Sequence, residues 1–338
     1  MAIQPTTARA PGKLILSGEH AVIYGKPALV MACDRHAMVT VEPGDNDTLI
    51  LHLPNLDSHR SWTREEAAQV RAEIRDHHDQ FLAGDLPITK VLGQTGDLLL
   101  MCCDEIFGDA CPAMKITVDS TIPPGTGQGS SAALLVACAA ALLTATGASP
   151  VSSEIAGIAT RVERFQHGTS SGVDPTVCAR GGLLRFQPGR DPQPLMTPDL
   201  VTQVLHTGNP DSTTGECVAA VARRCGASST IWTDFERITN QFQQALLEDD
   251  GRALHQAIRD NHHLLVEIGV VPQRIVDFVR QAEAEGASAK ICGAGAVDGT
   301  AAGSILLYAD GPRSQLCRAF DYHAHCCRLE REGVHVIA

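Results

Sequence analysis

The stretch "PPGTGQGSSAALL", which runs from Pro123 to Leu135, decides how the rest of the chain is interpreted. Three glycines alternate with other residues, two serines follow, and an apolar run begins. An ordinary turn needs one or two glycines, so three at alternate positions indicate that a large group approaches the backbone. The first turn of a following helix leaves N–H groups without partners, and its dipole adds partial positive charge. This arrangement favours a phosphate group as the ligand.

The loop differs from two familiar nucleotide-binding motifs. No Gly-Lys-Ser/Thr sequence follows it, which excludes a Walker A loop. "GTGQGS" lacks the third glycine of the dinucleotide fingerprint, and no acidic residue marks a second strand about 20 residues further on. A strained turn that feeds a serine-capped helix remains the alternative interpretation.

The composition is typical of a globular protein with one large domain or two ordinary ones. The chain has 338 residues, of which 44% are hydrophobic and 20% are charged. The formal net charge of -12 argues against a nucleic-acid partner, although local backbone dipoles can still bind an anion. Twelve cysteines without C-x-x-C spacing predict free thiols in a reducing compartment.

Two further features bear on location and metal binding. The N-terminal sequence lacks the apolar core of a signal peptide, and the apolar stretch 132–146 is too short to span a bilayer comfortably. We therefore expect a cytoplasmic protein without a membrane partner. His323, His325, Cys326 and Cys327 lie close together, but their spacing fits no common zinc pattern.

The periodicity of the sequence predicts an α+β protein. Strands are predicted around 8–17, in the segments "PALVMACD", "AMVTVEPG", "DTLILHL" and "AMKITVDS", and at five places beyond residue 180. Helices are predicted over 63–82, 91–106, 130–145, 152–166, 214–224, 229–247, 251–268, 272–285 and 313–324. Thr63 is the expected N-cap of the first helix, with Glu66 completing a capping box. The Pro-rich segment 187–199 is the candidate hinge.

Three motifs in the expected order carry a resemblance to a known family. "PPGTGQGSSAA" resembles the central motif of the GHMP small-molecule kinases, which include galactokinase, homoserine kinase, mevalonate kinase and phosphomevalonate kinase. "APGKLILSGEHAVIYGKPAL" (10–29) resembles the N-terminal motif of that family in its mevalonate kinase form. "HGTSSGVDP" (167–175) resembles the H-G-x-x-S-G-x-D segment of the same enzymes.

The resemblance implies a two-lobed α+β fold. Residues 1–187 would form an N-terminal α/β lobe of left-handed-crossover type, similar to ribosomal protein S5. Residues 188–338 would form a ferredoxin-like lobe, and the substrates would meet in the cleft between the lobes. Dimers are common in this family, so a homodimer is an open alternative.

The resemblance also implies an activity, namely ATP-dependent phosphorylation of mevalonate to 5-phosphomevalonate with Mg²⁺ as cofactor. Two alternatives stay open: a GHMP kinase that acts on another small alcohol such as a sugar, and a non-catalytic sensor on the same fold. A sensor typically loses residues of the serine loop or of the catalytic pair, whereas this chain keeps them.

The site residues follow from the motif positions. The expected nucleotide-binding residues are Pro124, Gly125, Thr126, Gly127, Gln128, Gly129, Ser130 and Ser131, together with Gly293 and Gly295. By resemblance, Ser131 and Glu163 would hold Mg²⁺; without it, Glu163 reads as an ordinary surface glutamate. Asp174 is the expected catalytic base, and Lys13 would lie beside it and hold it ionised.

Three residues are implied to contact the acceptor. His20 would lie near its carboxylate end, with Glu19 as a neighbouring orienter, and Thr214 matches a hydroxyl position that lines the acceptor pocket. A histidine satisfied within the core is the alternative reading of His20.

The third glycine motif departs from the family pattern. Its usual run of glycines is replaced by "CGAGAVDGTAAG" (292–303), which keeps Gly293 and Gly295 but adds Asp298. A carboxylate near a polyphosphate would be repelled. We therefore expect the Asp298 side chain to point to solvent.

Overall fold

A computed structural model describes residues 3–45, 47–197 and 201–337 of the chain. Two β-sheets organise these residues. The larger has the order β12-β1-β2-β5-β3-β4, with β6 paired to β2 and β7 paired to β6. Its strands are β1 (Thr6–Ser17), β2 (Ala28–Pro43), β3 (Thr48–Leu53), β4 (Ser58–Thr63), β5 (Met114–Ser120), β6 (Leu183–Phe186), β7 (Gln193–Leu195) and β12 (His335–Ile337). Only the β3–β5 pair of this sheet is parallel.

The smaller sheet is antiparallel and has the order β11-β8-β10-β9. Its strands are β8 (Val201–His206), β9 (Ser288–Cys292), β10 (Ser304–Tyr308) and β11 (His323–Arg328). Every residue of β9 is buried. A cluster of apolar side chains that includes Leu14, Met31, Val204 and Leu306 joins this sheet to β1 and β2.

Ten α-helices cover the two sheets within the described residues. They are α1 (Arg64–Ala83), α2 (Asp97–Phe107), α3 (Ser130–Ala145), α4 (Ser152–His167), α5 (Val173–Arg180), α6 (Thr214–Cys225), α7 (Ile231–Leu247), α8 (Gly251–Glu267), α9 (Gln273–Ala284) and α10 (Ser314–Ala319). Helix α3 lies against β1 and β2 and is buried on almost all sides, which explains why its sequence is apolar throughout. None of the described helices meets the length and apolarity that crossing a bilayer requires.

Most predicted helices are confirmed to within a few residues. The capping box is present, since Thr63 Oγ1 accepts from the Glu66 N–H and the Glu66 carboxylate accepts from the Thr63 N–H. The predicted strand 8–17 is part of β1, which bends through a register shift at Pro11 and Gly12.

The predicted start of α2 at residue 91 is wrong. The helix begins at Asp97, whose carboxylate accepts hydrogen bonds from the N–H groups of Gly93 and Gln94 at 2.9 and 2.8 Å. These bonds and the positive φ of Gly96, 95°, hold residues 93–96 as a loop. Part of the predicted hinge, residues 198 and 199, lies outside the described residues.

The division of the chain at residue 187 stays a prediction. Two short strands that follow this position, β7 and β12, pair with the larger sheet. The first sheet therefore continues past residue 187 in β7, and the chain returns to it in β12 after the strands of the second sheet.

Candidate active site

The glycine loop ends at the N-terminus of α3, as its sequence predicts. Gly125, Gly127 and Gly129 have φ values of 73°, 77° and 75°, a region that other residues rarely adopt. Gly129 is the N-cap of α3, and Ser130 and Ser131 form its first turn. The loop lines a cavity of about 750 Å³. Free N–H groups of the first helical turn therefore lie where an anion can reach them.

The glycines also allow neighbouring segments to approach the loop closely. A Cβ on Gly129 would lie 2.6 Å from Lys13 Cγ, and a Cβ on Gly127 would lie 2.9 Å from the Cys292 carbonyl oxygen. The Lys13 N–H donates to the Gln128 carbonyl at 2.9 Å. The loop is therefore packed between β1 and the third glycine motif, with no room for a side chain at Gly127 or Gly129.

Lys13 and Asp174 form an ion pair at the wall of the cavity. Lys13 Nζ lies 2.9 Å from Asp174 Oδ2, and the lysine side chain is 4% exposed. Burial alone would lower the pKa of Lys13, but the charge of Asp174 and its hydrogen bond outweigh burial and raise that pKa. Asp174 lies in the first turn of α5, and its Oδ1 is buried without a hydrogen-bond partner in the described structure. That oxygen is free to accept a proton or a hydrogen bond.

Glu163 lies on α4 and is 4% exposed, which excludes the interpretation as a surface glutamate. Ser170 Oγ donates to Glu163 Oε2 at 2.8 Å. Burial and the nearby charge of Asp174 raise the pKa of Glu163 to about 8. The charge of Lys13 opposes this rise in the pKa of Glu163 but does not cancel it. Ser131 lines the same cavity.

We expect Glu163 to contribute a loss of stability to the ligand-free protein as pH rises from about 5 to 8. Folding raises the pKa of Glu163, so this residue binds more protons in the folded state than in the unfolded state in this window. Each pH unit there removes at most about 1.4 kcal/mol of the free energy of unfolding. Thermal melts of the wild type and of Glu163→Gln at pH 6 and pH 8.5 test this. Between the two pH values, the variant should lose less stability than the wild type. An unchanged slope in that variant would contradict the assignment.

Glu19 and His20 follow β1 and line the same cavity. His20 has a φ of 53°, an uncommon value for a non-glycine residue that often marks functional sites. Burial lowers the pKa of His20, and the neutral ring donates from Nε2 to the Ala294 carbonyl at 2.9 Å. Glu19 forms a buried ion pair with Lys290 of β9. Burial raises the pKa of Glu19, and Lys290 opposes that shift.

The remaining predicted site residues divide into two groups. Pro124, Thr126, Thr214 and Gly293 line the cavity, whereas Gln128 and Gly295 are absent from its lining. The Gln128 side chain turns to the smaller sheet, where its Nε2 lies 3.3 Å from Ser304 Oγ and 3.2 Å from His206 Nε2. Gln128 therefore contributes its main chain to the loop, and its side chain anchors the loop to the smaller sheet.

Asp298 is exposed and lies outside the cavity lining, which confirms its predicted orientation. Ser212 Oγ accepts from the N–H groups of Val297 and Asp298 at 3.2 and 3.3 Å. These bonds draw the altered part of the third glycine motif towards the start of α6. The additional charge is therefore kept away from the phosphate loop.

Sequence reasoning missed two charged or titratable residues of the site. Lys290 is fully buried, and a lysine within the apolar strand "SAKIC" was the available signal. His167 lines the cavity at the end of α4, and it is the first residue of the quoted segment 167–175. Burial lowers the pKa of His167, so its ring adds no charge at neutral pH.

Comparison with known proteins identifies the class of protein to which this fold and this site belong. A family model described as "GHMP kinases N terminal domain" matches residues 97–182, which contain the glycine loop and Asp174. An L. major mevalonate kinase solved in complex with R-mevalonate has a TM-score of 0.70 at 22% identity, covering 96% of each chain. The fold is thus that of the GHMP kinases.

Two relatives narrow the identification. Mevalonate kinase from Bos taurus is 30% identical, covering 90% of this chain and 86% of its own. Mevalonate kinase from Thermococcus sibiricus is 31% identical, covering 91% and 90%. The chain therefore belongs to the mevalonate kinase family.

Proposed function

We propose that the protein transfers the γ-phosphoryl group of ATP to the primary hydroxyl of mevalonate and releases 5-phosphomevalonate. One observation carries the proposal: Lys13 and Asp174 form their ion pair at 2.9 Å beside the cavity that the glycine loop lines. Phosphoryl transfer requires positioning and charge neutralisation more than covalent chemistry. The names of the relatives supply mevalonate as the acceptor.

The cavity offers distinct surfaces to the two ends of a nucleotide. Backbone N–H groups of the loop and the positive end of α3 suit the polyphosphate. Leu56, Leu92, Leu98 and Leu134 form an apolar part of the lining that suits a purine ring. Adjacent polar and apolar surfaces of this kind support ATP as the phosphoryl donor.

The residues around Glu163 fit a bound Mg²⁺. Its carboxyl group is buried, the charge of Lys13 only partly offsets the rise in its pKa, and oxygen ligands are those that Mg²⁺ prefers. Glu163 and the Ser131 hydroxyl would hold the ion together with phosphate oxygens. When bound, Mg²⁺ neutralises charge on the transferring phosphoryl group. No group of three or more acidic, histidine or cysteine side chains that could hold a metal ion occurs in the described residues.

Lys13 and Asp174 supply the chemistry on the acceptor side. The free Asp174 Oδ1 accepts a hydrogen bond from the primary hydroxyl and takes its proton as the O–P bond forms. The Lys13 ammonium pairs with Asp174 Oδ2 and offsets negative charge that develops on the phosphoryl oxygens. The bond between the γ-phosphorus and the bridging oxygen breaks, and ADP leaves.

The first turn of α6 suits the carboxylate end of mevalonate. Thr214 and Gly215 line the cavity, and this turn carries backbone N–H groups without intrahelical partners. Since His20 and His167 are neutral, the helix dipole and the Thr214 hydroxyl remain to attract the negative group.

A cytoplasmic location and a homodimer also stay predictions.

A parallel acceptor assay tests the proposal. The protein and MgATP are mixed separately with mevalonate, galactose, homoserine and phosphomevalonate, and ADP release is followed by a coupled assay. We expect mevalonate to exceed each other acceptor by at least about 10²-fold in kcat/KM. Phosphorylation of galactose or homoserine without phosphorylation of mevalonate would refute the acceptor assignment. ADP release that no acceptor stimulates would refute the kinase assignment.

A further inference from the structure

A fully buried ion pair lies behind the acceptor end of the cavity. Lys290 is 0% exposed and Glu19 is 1% exposed, and the lysine ammonium donates to Glu19 Oε1. Lys290 Nζ also lies 3.4 Å from the Ile15 carbonyl oxygen of β1. The pair therefore connects β9 of the smaller sheet to the end of β1. Desolvating two charges is costly, so stabilisation of the fold does not by itself explain why this ion pair is buried.

The second oxygen of Glu19 has no partner in the described structure. Glu19 Oε2 is buried and makes no hydrogen bond, although Glu19 lines the cavity. Leaving a buried acceptor without a donor costs roughly 1–3 kcal/mol, and more for a charged group. A donor brought by the substrate would remove this cost. Glu19 thus lines the cavity and carries one carboxylate oxygen that no described group satisfies.

The neighbouring donors are already engaged. His20 Nε2 donates to the Ala294 carbonyl, and Lys13 Nζ is paired with Asp174. Neither group is available to satisfy Glu19 Oε2. The missing donor therefore has to come from a ligand or from water.

The chemistry of the acceptor leaves one group for this oxygen. The carboxylate of the acceptor would be repelled by the Glu19 carboxylate. Its primary hydroxyl is required at Asp174, where the phosphoryl group arrives. Its second hydroxyl, which does not react, is the remaining donor.

We propose that Glu19 Oε2 accepts a hydrogen bond from the non-reacting hydroxyl of the acceptor and that Lys290 is a positioning residue which holds this carboxylate. The inference rests on the proposed function and specifies that the site recognises the non-reacting hydroxyl of the substrate. Lys290 donates to Oε1, which leaves Oε2 as the carboxylate oxygen without a partner. A buried group designed to pair with a hydroxyl strongly rejects an analogue without it.

The test compares mevalonate with 5-hydroxy-3-methylpentanoate, in which hydrogen replaces the second hydroxyl. For the wild-type protein we expect mevalonate to be favoured by at least about 10²-fold in kcat/KM. This ratio is measured on the unaltered protein and does not depend on the folding of any variant. Equal kcat/KM values for the two alcohols would overturn the inference while leaving mevalonate phosphorylation intact. No phosphorylation of either alcohol would overturn the proposed function and this inference together.

Variants separate a recognition role from a structural one. Glu19→Leu combined with Lys290→Met removes both charges, so neither is left buried and unpaired. We expect its mevalonate-to-analogue ratio to approach 1, because mevalonate loses activity and the analogue does not. Lys290→Met alone should lower the ratio at least tenfold. Equal losses on both alcohols in either variant would indicate a merely structural pair and would overturn the inference.

The matched control is a second ion pair that lies outside the cavity. Lys26 Nζ and Glu236 Oε2 are 2.7 Å apart, and neither residue lines the cavity. Lys26→Met combined with Glu236→Leu should leave the ratio of kcat/KM values at its wild-type level. A similar fall of the ratio in this control would overturn the assignment to Glu19 and Lys290.

Discussion

Asp174→Asn is expected to lower kcat by about 10²- to 10⁴-fold, the usual contribution of a positioned general base. The amide keeps the size of the side chain but accepts no proton from the acceptor hydroxyl. It also removes the negative charge that raises the pKa of Lys13. The glycine loop is not altered, so the Kd for MgATP should change only a few-fold. Initial rates from a coupled ADP assay and calorimetric titration with a non-hydrolysable ATP analogue measure the two quantities.

Asp298→Asn is the matched control for this variant. Asp298 is an exposed carboxylate of the third glycine motif and lies outside the cavity lining. Its replacement should leave kcat within about twofold, since exposed charges contribute little. If Asp174→Asn retained kcat within tenfold of wild type, Asp174 would not be the base. If its binding and biological output both survived intact, the protein would be a sensor.

Gly129→Ala is expected to lower kcat by at least about 10²-fold, because misplacing a catalytic group by about 1 Å costs that much. The added Cβ would lie 2.6 Å from Lys13 Cγ and 3.1 Å from Lys13 Cε. Either the lysine moves away from Asp174 or the loop moves away from β1. The positive φ of 75° adds about 1–2 kcal/mol of strain at the N-cap of α3. Steady-state rates and thermal melts report the two effects separately.

Gly147→Ala controls for the backbone strain. Gly147 follows the other end of α3 with a φ of 87°, and a Cβ there would meet nothing within 4 Å. This variant should lose a similar amount of stability and keep its kcat. Equal kcat values for the two variants would show that the contact between the loop and Lys13 is not needed for activity.

Local signals predicted much of the fold. The capping box at Thr63 and Glu66 marks the start of α1, and the serines after the glycine loop mark the start of α3. Both signals depend on residues a few positions apart, which a sequence displays directly. The start of α2 was mispredicted because the Asp97 carboxylate accepts hydrogen bonds from the N–H groups of Gly93 and Gln94, which holds these residues outside the helix. Helix α5 was missed because it has only eight residues and follows a glycine.

The candidate site was predictable only where a motif marks it. Lys13 and Asp174 lie 161 positions apart in the chain, and the resemblance, not any local pattern, predicted that they meet. Lys290 had no such motif, and its partner Glu19 lies 271 positions away. The burial of Glu163 also depends on how α4 packs in the complete fold. Contacts of this kind arise from tertiary structure, which short-range patterns do not encode.

A crystal structure of the protein with a non-hydrolysable ATP analogue, Mg²⁺ and mevalonate tests the central claim most directly. The account predicts that the β- and γ-phosphates lie within hydrogen-bond distance of the N–H groups of 127–131. It also predicts that the primary hydroxyl of mevalonate contacts both Lys13 Nζ and Asp174 Oδ1. Phosphates bound away from the glycine loop, or a primary hydroxyl that contacts neither side chain, would contradict it.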